Sequence, residues 1–199
     1  MNKNNKFLSQ LLNLAVSGRD AIIGPGNWLK KPLLNIETDV DKKIKKVAKS
    51  LIRETSTDKT GVWWFLIGSP GNGKSAAVGS LVRDLRDNYG SEFREPKDDR
   101  GKGLGRAIDE LREGDLPYLM ELYEKDNSYP SALFAQDASV VPKPWSKNPD
   151  PGDALIDLLK RAYKKGQSVV VCANRGIIER ALQQKVDKSD RWYLSLIHI

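Results

Sequence analysis

The amino-acid sequence predicts an α/β fold in which a mostly parallel sheet is flanked by helices on both faces, so that the domain has three layers. Three observations lead to this prediction. Apolar runs of strand length recur at residues 62–67, 131–137 and 168–173. Amphipathic helical patterns alternate with these runs, and a glycine-rich turn joins the first run to the helix that follows it. Strands that alternate with helices form parallel sheets whose two faces are covered.

The segments ahead of the first strand are predicted to be helical or irregular. Residues 6–23 have an apolar face of helical spacing, which glycine and proline then break. Thr38 and Asp41 have the spacing of a capping box and open a lysine-rich helix. We therefore assign residues 1–35 to an N-terminal helical and irregular segment and residues 36–193 to the α/β domain.

The remaining elements are predicted from periodicity and turn residues. A helix follows the glycine-rich turn and should end near Asn88. Residues 91–106 are rich in charge and glycine, which predicts an exposed loop. Residues 117–123 fit a strand or a helix, because so short a run does not show its period. Two further helices are predicted, over residues 154–165 with Asp153 as the cap and over residues 177–184.

The turn after the first strand carries a phosphate-binding sequence, which we call the phosphate loop. It matches the pattern G-x-x-x-x-G-K-[ST] and consists of Gly68, Ser69, Pro70, Gly71, Asn72, Gly73, Lys74 and Ser75. Glycines let the backbone curl until its N–H groups point at a phosphate, which also faces the positive end of the next helix. Lys74 supplies a cation for the β- and γ-phosphates, and Ser75 offers a hydroxyl ligand to Mg²⁺. The predicted ligands are a nucleoside triphosphate, ATP, and Mg²⁺.

Two further polar residues follow strands: Asp137 ends the second apolar run, and Asn174 comes directly after the third. Together with the phosphate loop they resemble the ATP site of P-loop NTPases and, over residues 36–185, that of the AAA+ ATPases. The resemblance implies that Asp137 is the Walker B acid that holds Mg²⁺, and that Asn174 orients the attacking water near the γ-phosphate. Lys74, Asp137 and Asn174 would then be the catalytic residues. The structural alternatives are a turn or cap role for Asp137 and a turn or N-cap role for Asn174.

The sequence departs from the AAA+ pattern after this acid. Many such ATPases place a glutamate there as the base for water, whereas Ala138 and Ser139 follow here. Glu121, Glu124 or a residue beyond the end of the chain are the alternatives for that base. Gln136 precedes the acid and is a candidate to orient water, although the alternation of side chains along a strand predicts that it points to the opposite face.

Composition limits the class of protein. The chain has 199 residues, of which 39% are hydrophobic and 30% charged. No apolar run approaches the roughly 18 residues that span a bilayer, and no signal-peptide cleavage site follows the N-terminus. The single cysteine, Cys172, excludes an internal disulfide and lies in an apolar run where a buried thiol is expected. These features predict a cytoplasmic protein with no membrane partner.

The positive charge is concentrated in one helix. The net charge is +7, and the helix after Thr38 contains Lys42, Lys43, Lys45, Lys46 and Lys49, interleaved with apolar residues at helical spacing. One interpretation is the solvated face of an amphipathic helix. The other is a surface that attracts the phosphates of a nucleic acid. Charge alone does not decide between them.

The end of the chain is interpreted separately. Residues 194–199 read LSLIHI, which resembles the translation of a transposon-end adapter. We therefore predict that these residues, His198 included, are not native, and that the chain is a fragment which stops where a final strand and a lid are expected. The alternative is a genuine apolar strand that begins at Trp192.

Together the motifs favour an AAA+-like ATPase that couples ATP binding and hydrolysis to the remodelling or assembly of a partner. The implied partners are further copies of the chain and a protein or nucleic-acid client. In an oligomer Arg175 would be an arginine finger toward a neighbouring nucleotide; otherwise it is a surface arginine. Two alternatives stay open. A nucleotide-dependent oligomerisation switch or defence-type signalling ATPase with slow turnover fits the missing glutamate, and a P-loop small-molecule kinase fits the same loop.

Overall fold

A computed structural model of the chain describes residues 39–53, 61–69, 73–96, 105–111, 118–125, 129–139 and 150–183. The predictions for residues 1–35, for residues 194–199 and for Pro70, Gly71 and Asn72 of the phosphate loop lie outside these ranges. The described helices are α1 (Asp39–Arg53), α2 (Lys74–Tyr89), α3 (Pro151–Lys164) and α4 (Arg175–Gln183). The described strands are β1 (Trp63–Ile67), β2 (Glu92–Arg94), β3 (Leu119–Tyr123), β4 (Ala132–Ala135) and β5 (Ser168–Ala173).

The sheet is mixed, with the strand order β1-β5-β4-β3-β2. Strand β5 pairs in parallel with β1 and β4, whereas β3 pairs antiparallel with β4 and β2. The predicted three-layer P-loop NTPase fold with a mostly parallel sheet is therefore wrong. The connections give the reason: only residues 124–131 join β3 to β4, and a parallel pair needs a crossover of about a dozen residues or more. The loop predicted over residues 91–106 also contributes β2 to the antiparallel half.

Helices cover both faces of the sheet, because side chains alternate along each strand. Along β5, Val170 and Cys172 face the apolar cluster formed with α1 and α2, while Val169 and Val171 face the cluster formed with α3 and α4. The two clusters are dry cores in which these valines are fully buried. Among the described helices, none is long and apolar enough to cross a membrane.

The ends of the helices follow local sequence signals. Helix α2 ends at Gly90, which has a left-handed backbone (φ 66°) and donates its N–H to the carbonyls of Arg86 and Leu85. Helix α3 begins three residues earlier than predicted, with Pro151 in its first turn, where a missing N–H is harmless. Its cap is therefore Asp150 and not Asp153.

Asp150 provides a direct test of how α3 is anchored. Its Oδ1 accepts hydrogen bonds from the Gly152 N–H (2.7 Å) and the Asp153 N–H (3.2 Å). We expect Asp150→Ala to lower the free energy of unfolding by about 1 kcal/mol, measured by urea denaturation. Asp150→Asn keeps a capping oxygen and should lose clearly less. Equal losses in the two variants would instead assign the effect to the ion pair with Arg180 (3.6 Å).

Candidate functional site

The described part of the phosphate loop joins β1 to α2. Gly68 and Ser69 follow β1, and Gly73 precedes α2 with a left-handed backbone (φ 74°, ψ 9°). A Cβ placed on Gly73 would meet no atom within 4 Å. Glycine is therefore favoured at this position by its backbone conformation and not by lack of space.

Among the described residues, no side chain caps the N-terminus of α2. Gly73 has no side chain that could bond the first N–H groups of the helix, and the first turn contains no acidic residue. Helices α3 and α4 differ, because Asp150 caps α3 and the Asn174 Oδ1 accepts the Ile177 N–H of α4 (2.9 Å). The first N–H groups of a helix need an acceptor, and an anion fits both this need and the helix dipole.

Lys74 is folded back over the phosphate loop. Its Nζ donates hydrogen bonds to the carbonyl oxygens of Gly68 (2.7 Å) and Ser69 (2.8 Å). The ammonium group is thus held beside the backbone that would surround a phosphate. A lysine in this place acts as a positioned point charge.

The parallel pairing of β1, β5 and β4 brings the predicted site residues to one edge of the sheet, which we call the loop edge. Each of these strands ends there, so Gly68, Asn174 and Asp137 follow neighbouring strand ends. Two backbone hydrogen bonds extend the pairing past the strands, from the Gly68 N–H to the Ala173 carbonyl (3.3 Å) and from the Ala138 N–H to the Cys172 carbonyl (2.9 Å). Ligands of open α/β sheets bind at such an edge.

The ladder between β4 and β5 gains one residue at this edge. The register that pairs Ala135 with Val171 would make the Asp137 N–H the donor to the Cys172 carbonyl, but the donor is Ala138. An extra residue of this kind interrupts the alternation of side chains beyond Gln136. Gln136 itself continues the alternation of β4, because Ala132 and Phe134 face the cluster formed with α1 and α2, and its Nε2 donates to the Ser75 carbonyl of α2 (3.2 Å).

Lys74 and Asp137 both lie within electrostatic range of Cys172. Burial raises the pKa of the Cys172 thiol to about 12, while the Lys74 ammonium lowers this pKa and the Asp137 carboxylate raises it. Cys172 is the second-last residue of β5 and faces α2. Gln136 bonds to Ser75 of α2 and Asp137 bonds to Ser139, so the prediction that these two side chains face opposite ways stays a prediction.

Asp137 and Asn174 also have the structural roles that were their alternatives. The Asp137 Oδ1 accepts hydrogen bonds from the backbone N–H (2.9 Å) and the hydroxyl (2.6 Å) of Ser139, which closes a turn after β4. Asn174 is the N-cap of α4 through its Oδ1. These bonds use one oxygen of Asp137 and the oxygen of Asn174. They leave the second carboxylate oxygen and the amide nitrogen as the groups that a ligand could contact.

The two glutamates proposed as alternative bases do not lie at the loop edge. Strand β3 runs antiparallel to β4, so Glu124 follows the strand end at the opposite edge. Glu121 alternates with Met120 and Leu122, which face α2, and its side chain is only 4% exposed. Its carboxylate instead accepts hydrogen bonds from Gln167 and Tyr123 and forms an ion pair with the ammonium of Lys165 at 3.6 Å. Neither residue is placed to activate a water near Lys74.

The donor set at the loop edge fits Mg²⁺. The Ser75 hydroxyl and the Asp137 carboxylate supply hard oxygen atoms, the ligand type that this ion takes together with phosphate oxygens and water. No group of three or more histidine, cysteine, aspartate or glutamate side chains that could hold a metal occurs in the described ranges.

The hydrogen bond from Gln136 to the Ser75 carbonyl predicts that Gln136 positions the first turn of α2. We expect Gln136→Ala to weaken ATP binding by about 5- to 20-fold, because a lost hydrogen bond of about 1 to 2 kcal/mol frees the first turn of α2. Gln167→Ala is the matched control, since Gln167 is an equally buried glutamine whose Nε2 bonds to Glu121 and Pro130 at the other edge. Calorimetric titration should show a weaker affinity only for the first variant. If ATP affinity falls equally in Gln136→Ala and Gln167→Ala, Gln136 contributes only to the stability of the fold.

No protein-family profile matches this chain, and no curated protein and no solved structure matches it either. The chemistry of the site therefore has to be argued from the residues of this chain. Those residues place a phosphate loop, a lysine, a hydroxyl, a carboxylate and an amide at one edge of a mixed sheet.

Proposed function

We propose that the loop edge binds a nucleoside triphosphate, ATP in the first instance, together with Mg²⁺. The observation that carries the proposal is the convergence of separate elements on one place. The uncapped start of α2, with Lys74 folded over the phosphate loop, lies at the strand ends that carry Asp137 and Asn174. These groups suit the phosphates and the metal ion.

Each group has a distinct part in this proposal. The backbone N–H groups at the start of α2 bind phosphate oxygens, and Lys74 neutralises the β- and γ-phosphates. Ser75 and Asp137 hold Mg²⁺, which when bound offsets the negative charge of the phosphates. The amide nitrogen of Asn174 donates toward the γ-phosphate while its oxygen caps α4. Gln136 fixes the backbone of Ser75 from β4.

Binding is better supported than turnover. Ala138 and Ser139 follow Asp137, and Glu121 and Glu124 lie away from the loop edge. Within the described residues, no glutamate is therefore placed beside Asp137 to act as a base. This observation favours a nucleotide-dependent switch with slow hydrolysis over a fast ATPase. Self-assembly, a protein or nucleic-acid client and a cytoplasmic location remain predictions that accompany either form.

Lys74→Ala tests the binding proposal. We expect ATP affinity to fall by about 10- to 100-fold, because one charge-assisted contact of about 1.5 to 3 kcal/mol is lost. A fluorescent ATP analogue measures the affinity, and circular dichroism confirms that the helices remain. Lys125→Ala is the control, since Lys125 is an exposed lysine beyond β3 at the other edge. Unchanged affinity in Lys74→Ala would overturn the assignment.

Asp137→Asn tests the metal role separately from the turn. Asparagine can still accept the hydrogen bonds from Ser139, but it lacks the charge that attracts Mg²⁺. We expect the gain in ATP affinity on adding Mg²⁺ to drop by about tenfold, with little change in the presence of EDTA. Ser139→Ala removes the hydroxyl contact and keeps the carboxylate, so it should retain the response to Mg²⁺. If Mg²⁺ raises the ATP affinity of Asp137→Asn as much as that of the unmodified chain, Asp137 has only its role in the turn.

Hydrolysis and transfer are measured on the unmodified chain. Release of phosphate from ATP at about 0.01 per second or slower, together with nucleotide-dependent self-association, would support the switch. Rapid release without an acceptor would support the ATPase, and phosphate transfer only to an added metabolite would support the kinase.

A further inference from the structure

Helix α1 carries more than half of the net positive charge of this chain. It contains five lysines, one arginine and two aspartates, a net charge of +4 out of +7, and no acidic residue follows Asp41 within the helix. The lysines are all exposed in α1, and we call this surface the lysine face: Lys42, Lys43, Lys45, Lys46 and Lys49.

The lysine face is held in place by the opposite side of the same helix. Ile44, Val47, Ala48 and Leu51 are buried in the cluster that α1 shares with α2. The lysines therefore project from a docked helix and not from a free one. Helix α2 begins at Lys74, so the lysine face lies on the same helical layer as the phosphate loop.

A lysine-only face needs an explanation, because it opposes helix formation. Like charges three and four residues apart destabilise a helix by about 0.2 to 0.5 kcal/mol per pair. Lys43 and Lys46 form such a pair, as do Lys46 and Lys49. A face that only keeps the protein in solution normally mixes both signs. Every charged residue of α1 after Asp41 is positive, which points to an anionic partner.

We infer that the lysine face of α1 binds the phosphate backbone of a nucleic acid without reading its sequence. From Lys42 to Lys49 the helix rises about 10 Å, and over this length a duplex presents about six phosphate charges. The lysine face is therefore long enough to contact several phosphates. Lysine is a flexible point charge, which suits backbone contacts that carry no base specificity.

The same face fits the other anionic partners less well. Insertion into a membrane surface requires a free apolar face, but the apolar side of α1 is buried against α2. Protein interfaces are depleted in lysine and have apolar centres, whereas every exposed position from Lys42 to Lys49 is a lysine. This inference does not depend on nucleotide binding at the loop edge.

The test compares two double variants of the full chain. Lys46→Gln with Lys49→Gln removes two charges from the lysine face, and Lys125→Gln with Lys164→Gln removes two exposed charges elsewhere. Fluorescence anisotropy measures the affinity for three labelled nucleic acids: a 20-base-pair DNA duplex, one of its single strands, and an RNA of equal length. The salt concentration is varied from about 50 to about 200 mM, because binding through phosphates weakens steeply over this range.

We expect the first variant to bind at least about tenfold more weakly and to lower the salt slope by about 1.8 for duplex or about 1.4 for a single strand. The control variant and Lys46→Arg with Lys49→Arg should bind like the unmodified chain. Binding of any of the three nucleic acids with this pattern supports the inference and identifies the preferred form.

Other results would overturn it. These are absence of binding to all three nucleic acids at 50 mM salt, equal losses in the two glutamine variants, or tighter binding to polyglutamate or to vesicles with 30% anionic lipid than to any nucleic acid. Circular dichroism decides whether a loss in the first variant reflects unfolding. If the glutamine variant is unfolded, the test uses the arginine variant and the dependence of affinity on salt in the unmodified chain. An affinity that does not change with salt would contradict the inference.

Discussion

The parallel pairing of β5 with both β1 and β4 is the constraint on which the candidate site depends. Strands that run in one direction end at one edge, so this pairing alone brings the phosphate loop, Asn174 and Asp137 together. Strand β3 shows the contrary case, since its antiparallel direction carries Glu124 to the other edge. A mixed sheet can therefore keep a parallel-type site as long as the strands that form the site are the parallel ones.

The packing of α2 makes its open start possible. A helix without an N-cap is less stable, because its first N–H groups lack an acceptor. Most of the stability of helices in proteins comes from tertiary packing. Val78, Leu81, Val82 and Leu85 are completely buried between the sheet and α1. Burial of each such side chain contributes about 1.5 to 3 kcal/mol, which exceeds the ~1 kcal/mol of a missing cap. The N-terminus of α2 can thus stay available to a ligand.

The sequence predicts the parallel half of the fold well because each signal there is local. The run 168–173 is β5, and Gly90 ends α2 near the predicted position. The antiparallel half was not predicted. Strand β3 lies in the run 117–123, which is too short to show its period, and β2 is only three residues long and lies in a charged segment. At the site, the motif gave the phosphate loop and the strand-end residues. Alternation along β4 places Gln136 on the side of α2, but its bond to Ser75 could not be predicted, because it depends on how β4 and α2 pack together.

The two anion-binding surfaces proposed for this chain share α2 but differ in physical kind. In the described part of the phosphate loop, the partly buried Lys74 is held by hydrogen bonds to the carbonyl oxygens of Gly68 and Ser69. The lysine face consists of long, exposed side chains. Salt screens charges in water far more than it screens partly buried ones. The affinity of α1 for nucleic acid should therefore fall steeply as ionic strength rises, whereas the affinity of the phosphate loop for ATP should fall only a little. A salt titration can thus distinguish binding at the two surfaces, although both are next to α2.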